Sequence, residues 1–168
     1  RPPALAAGRN ARPLAGSGAV GSILTTLRAA SAYKTSPLHG RLFAEVLGHD
    51  PTVVADRLGA ISNAIDQGFA PLVDFGLSPH APYTLSPEAM DLVFAYAERL
   101  ALQCSMHLAE SFHEKRFLRN GPGALAEKLY ASPNWDPLAG PRPASSPLAP
   151  VGRQGRLRVG GVVFPGGR

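Results

Sequence analysis

Between Ala19 and Ala131 the sequence repeats one pattern four times: a short apolar run, a few polar residues, then a stretch with helical periodicity. Strand followed by helix, with connections this short, implies parallel strands joined by right-handed crossovers. The strand candidates are Ala19 to Leu24, Gly40 to Leu47, Leu72 to Ser78 and Gln103 to Ala109. The second is almost continuously apolar, as strands covered on both faces are. The expected fold class is therefore α/β.

The helices carry their own punctuation. Thr25 and Thr26 can cap an Ala-rich helix over Leu27 to Tyr33, which Ser36-Pro37 breaks. Asp50 as N-cap and Pro51 as first residue open the next helix, and Val54, Leu58, Ile61 and Ile65 give it one apolar face. Gly68 ends that helix. Ser86-Pro87-Glu88 starts a third, with Ala89, Leu92, Val93, Tyr96, Ala97 and Leu100 as its expected buried stripe. Ser111 caps a helix through Leu118, and Gly123 to Ala131 gives one more.

Chemistry concentrates between Gly76 and Glu110. The first half reads Gly76-Leu-Ser-Pro-His-Ala-Pro-Tyr-Thr84, and the second ends Met106-His-Leu-Ala-Glu110. His80 and His107 each fall at a strand end, and Glu110 follows three residues after His107. Side chains at the C-terminal strand ends of a β/α barrel converge on one pocket. Two histidines and a glutamate there can serve as a metal-and-acid site. Bland readings fit the same residues: His107 as a buried histidine bonded to backbone, Glu110 as a helix-capping acid beside Ser111, His80 as a histidine in a Pro-rich turn. His39, His49 and His113 are expected in exposed turns and on a helix face. Glu45 is an oddity on a buried strand, able to reach the pocket or a neighbouring arginine. Tyr83 and Thr84 are further candidates for lining the pocket.

In order and spacing, these two motifs resemble the metal-dependent amidohydrolase superfamily, in the branch of the chlorohydrolases and the deaminases of methylthioadenosine, adenosylhomocysteine and aminofutalosine. The resemblance runs from about Ser17 to Pro137. It implies a (β/α)8 TIM barrel, of which this chain holds about four β/α units. It also implies hydrolysis of C–N or C–Cl bonds in purine-type or related heterocycles by metal-activated water, with one divalent ion, zinc or iron. By the same resemblance His107 is a metal ligand, Glu110 moves a proton between that water and the leaving nitrogen, and His80 contacts the substrate. The superfamily's first-strand His-x-His, its later histidine and its final aspartate have no match. A catalytic zinc takes about three protein ligands, so the isolated chain is expected to hold metal weakly and to be inactive.

Size and charge frame this reading. The chain has 168 residues, whereas a full barrel takes about 250, and it does not begin with Met, so it is read as starting inside a longer gene. Of 17 basic residues, Arg1, Arg9 and Arg12 lie before residue 17 and five arginines follow residue 138, with no acid in either end. The middle is mildly acidic. The expected division is thus 1–16 disordered or misjoined, 17–138 the partial barrel, and 139–168 a disordered or frame-shifted tail rich in Arg, Pro and Gly. The alternative is a non-enzymatic basic protein binding nucleic acid through these ends, but its arginines are not interleaved with aromatics and no nucleic-acid motif is present. Nucleic acid is therefore not an expected partner. A small-molecule substrate is, and open sheet edges leave self-association available. No run approaches the ~20 apolar residues of a membrane span. A single cysteine, Cys104, excludes an internal disulfide and fits a reducing, cytoplasmic setting.

Overall fold

The computed structural model describes residue 16 and residues 18–131, apart from 36, 69–71, 122 and 130. The expectations for the two basic ends fall outside these residues. Strands β1 (Ala19–Leu24), β2 (His39–Val46), β3 (Val73–Pro79) and β4 (Gln103–Cys104) form one parallel sheet in the order β1-β2-β3-β4. Helices α1 (Pro51–Asp66), α2 (Pro87–Arg99), α3 (Phe112–Asn120) and α4 (Ala124–Leu129) follow β2, β3 and β4. The α/β class and four-strand count match the sequence reading, and the sheet is an open arc of barrel.

The helix starts follow their sequence signals. The Asp50 carboxylate accepts from the Thr52 amide at 2.8 Å, and Ser86 Oγ accepts from the Ala89 amide at 3.1 Å. These bonds to the Thr52 hydroxyl and amide hold the exposed Asp50 carboxyl below its usual pKa. The Leu27–Tyr33 stretch is a 3-10 helix, and Thr26 makes no side-chain cap bond. On α2, Leu92 and Leu100 are exposed, while Met90 and Phe94 are buried. The helix turns its stripe through Ala89, Met90, Val93, Phe94, Tyr96 and Ala97, onto α1 and the sheet.

Alternation sorts the strands into two layers. Leu42, Ala44 and Val46 of β2 and Leu77 of β3 are fully buried in the apolar layers against the helices. Their neighbours Phe43, Glu45, Gly76 and Ser78 lie on the opposite, inner face. Phe43 lies across Gly76, where a Cβ would come within 2.8 Å of the Gln103 carbonyl and closer still to the ring. Glycine is required at this close approach.

The expected strand over Gln103 to Ala109 is shorter as regular sheet. Pairing continues past Cys104 in isolated bonds, from Ser105 N–H to Leu77 O and from His107 N–H to His80 O, both 2.9 Å. Ala109, with φ of 57°, then turns the chain out of the extended conformation.

Candidate metal-and-acid site

Backbone bonds fix the two histidines before their side chains do anything. The His80 amide donates to Val46 O at 3.0 Å, and the His80 carbonyl accepts from His107. His80 thus joins the end of β2 to the extension of β4. Pro79 and Pro82 are fully buried beside it. The rings of His80 and His107 meet edge to face with centroids 5.1 Å apart.

Each ring's Nδ1 is occupied. His107 Nδ1 lies 3.1 Å from Glu110 Oε1. A carboxylate only accepts, so Nδ1 carries the hydrogen. His80 Nδ1 lies 2.9 Å from Thr84 Oγ1. That hydroxyl donates to Ala81 O and accepts from the Ala81 amide. With its one hydrogen used, it accepts from His80 as well, so Nδ1 again carries the hydrogen. With Nδ1 engaged in this way, each ring has Nε2 left as the nitrogen that can bind a metal. Burial lowers the His80 pKa despite the counteracting charge of Glu45, which favours the neutral, ligating ring.

The third member is Glu45. It pairs in register with Ser78, is nearly buried at 9% exposure, and offers a carboxylate oxygen to the same space. Ligand atoms of Glu45, His80 and His107 all lie within 4.8 Å of one another. A two-histidine, one-carboxylate set with an open fourth position is a donor set zinc uses in catalytic sites. Beside it, the Ser78 hydroxyl is fully buried with no hydrogen-bond partner among the described residues. The residues present thus fit a divalent cation.

Glu110 lies at the rim, its side chain about half exposed. The helix-capping acid is Glu114: its carboxylate accepts from the Ala109 and Glu110 amides at 2.9 and 2.8 Å, and Ser111 Oγ accepts from the Glu114 amide. Glu110 is thereby left to pair with His107. The Ser111-x-x-Glu114 spacing was the readable signal for this cap. Tyr83 meets His80 at 6.3 Å between centroids, and burial followed by the charges of Glu114 and Glu110 raises its pKa. His49, expected in an exposed turn, is 5% exposed, with Nε2 3.3 Å from Tyr83 O. Gly48 donates to Thr84 O and draws the two loops together. His39, at the start of β2, and His113, on α3, are exposed. Cys104 packs against the core, and burial pushes its thiol up to about 11.

No family model and no curated protein matches the sequence. Solved structures do. The aminofutalosine deaminase of Helicobacter pylori aligns with a TM-score of 0.66 and 22% identity over 81% of this chain and 36% of its own. Its complex with methylthio-coformycin aligns at 0.63 and 24%, over 77% and 32%. A zinc-bound adenosine deaminase from Xanthomonas campestris aligns at 0.57 and 23%, over 74% and 29%. The chain thus has the fold of part of a deaminase barrel and spans about a third of those proteins' length.

Proposed function

We propose that residues 17–138 are the central portion of a metal-dependent hydrolase of amidohydrolase type, acting on a C–N or C–Cl bond of a purine-like heterocycle. One observation carries this reading: His107 and Glu110 are hydrogen-bonded at the C-terminal edge of the sheet, with His80 beside them. The fold shared with deaminases supports it.

In this reading His107 is a ligand through Nε2, and its bond to Glu110 holds the ring in the ligating tautomer. Glu110, accessible beside His107, takes a proton from the attacking water. Where a C–N bond breaks it delivers that proton to the leaving nitrogen, and where a C–Cl bond breaks chloride leaves without it. Such a positioned acid–base contributes about 10²- to 10⁴-fold. His80, with Nδ1 tied to Thr84, presents Nε2 as an acceptor for a substrate N–H or O–H. A bound divalent ion would supply the acidity that makes water a nucleophile near neutral pH.

The test is the coding DNA on either side, read in all three frames and expressed with this stretch. It is expected to supply His-x-His upstream and a histidine and an aspartate downstream. The assembled protein should deaminate or dechlorinate a purine-type substrate and lose about 10²- to 10⁴-fold in kcat as Glu110→Gln. Unchanged turnover in that variant contradicts the reading. The isolated chain should not turn over methylthioadenosine.

A further inference from the structure

We infer that Glu45, His80 and His107 form a divalent-cation site complete within this chain, binding one zinc-class ion through a carboxylate oxygen and two Nε2 atoms. The proposal keeps His107 as a ligand but replaces the role given to His80 above: its one Nε2 lone pair binds either the ion or the substrate, and here it binds the ion.

The hydrogen-bond network makes the case. Both Nδ1 hydrogens are committed, to Glu110 and to Thr84. Nε2 of each ring is then a lone-pair acceptor, and the Glu45 carboxylate is an acceptor too. One ring nitrogen of each histidine and a Glu45 carboxylate oxygen stand within 4.8 Å of one another. Gathering lone pairs around a nearly buried carboxylate is unfavourable. Arg57, which feels the Glu45 charge and donates to its backbone carbonyl, offsets part of this, and a cation among the three acceptors would offset the rest. The carboxylate on the His107 ring is the kind of partner a metal-bound histidine uses, and the Thr84 hydroxyl holds the His80 ring in the same way.

The span is right for such an ion. Bonds of about 2.0–2.2 Å set tetrahedral donors about 3.4 Å apart, so no pair within 4.8 Å needs to close by more than about 1.4 Å. The Glu45 side chain can rotate to meet rings held by the backbone. Two nitrogens and one oxygen favour zinc over magnesium or calcium, which prefer all-oxygen sets.

The experiment is calorimetric titration of the full 168-residue chain with Zn2+ and Mg2+, with circular dichroism on every variant. Wild type should bind one zinc, and Co2+ should give the visible bands of a four-coordinate site. Glu45→Gln and His80→Ala should each weaken zinc by about 100-fold, and Thr84→Val by about tenfold as an orienting partner. Asp74→Asn, at the other end of the sheet, should change nothing. Zinc binding lost only in His107→Ala, with Glu45→Gln and His80→Ala unaffected, overturns the three-ligand site while leaving the proposed role of His107. No saturable binding by wild type overturns it as well. The hydrolase reading then still rests on Glu110→Gln in the assembled protein.

Discussion

Leu77 and Ser78 are adjacent on β3, both fully buried, and they meet opposite physical situations. Leu77 packs with Ala44, Val46, Val54 and Val93 between sheet and helices. Ser78 faces inward, beside Glu45, with its hydroxyl unpaired among the described residues. The outer layer is apolar core, covered by α1 and α2 over β2 and β3 and by the 3-10 helix Leu27–Tyr33 over Leu24, Leu42 and Val73. The inner layer carries Glu45, Ser78, His80 and His107, polar groups that no stable core collects without a use. The fold concentrates its stability on one face and its chemistry on the other.

The largest effect expected from this contrast is at Leu77. Leu77→Ala should cost about 2–5 kcal/mol, as a large-to-small change in a packed core. Ser78→Ala should be neutral or stabilise by about 1 kcal/mol, since it removes a buried unpaired hydroxyl. Urea unfolding followed by circular dichroism measures both. Equal losses at the two positions would erase the distinction between the faces.

Between these lies Gly76→Ala. A methyl there meets Phe43 and the Gln103 carbonyl, and overpacking of this kind costs about 1–3 kcal/mol. The same urea curves report it.

Cys104 samples the outer layer chemically. A thiol moved from 9.0 to about 11 has roughly a hundredfold less thiolate at pH 8. Alkylation by iodoacetamide should be slower by that factor in the folded chain than in urea. For an acid whose folded pKa is raised, the unfolded state ionises first. This contribution to stability is present below pH 9 and lost as pH rises toward 11. Alkylation at the unfolded rate would place Cys104 outside the core.

The smallest expected effect is at the end of α2. Ala101 N–H bonds to Glu98 O and Leu102 N–H to Ala97 O, with Ala101 at φ of 51°. This is a Schellman turn with alanine where glycine costs least. Ala101→Gly should stabilise by up to about 1 kcal/mol. A lower midpoint in urea would show that the left-handed residue is not strained.

Much of the fold was legible because its signals are local. Asp50-Pro51, Ser86-Pro87 and Ser111 each announce a helix within four residues, and the structure starts helices there. His80, His107 and Glu110 were legible as a motif, and the structure brings them together. Glu45 was visible only as a misfit, because its place depends on the pairing of Glu45 with Ser78, 33 residues away. Thr84 stands only four residues from His80, its partner, but the burial of His49 depends on Gly48 meeting the loop before Leu85. No short window of sequence contains these long-range contacts. The short β4 was misjudged for a related reason: alternation continues to Ala109, but regular pairing does not.

The central claim is that the inner face at the strand ends holds the chemistry. Long-range proton–nitrogen NMR of the five imidazoles, recorded during zinc titration of the full chain, tests it most directly. Before zinc, His80 and His107 should show Nδ1 protonated and Nε2 bare. On adding zinc, Nε2 of these two should shift together, while His39 and His113 stay unchanged. Nε2 protonated at the outset, or shifts confined to His39 or His113, would contradict the account.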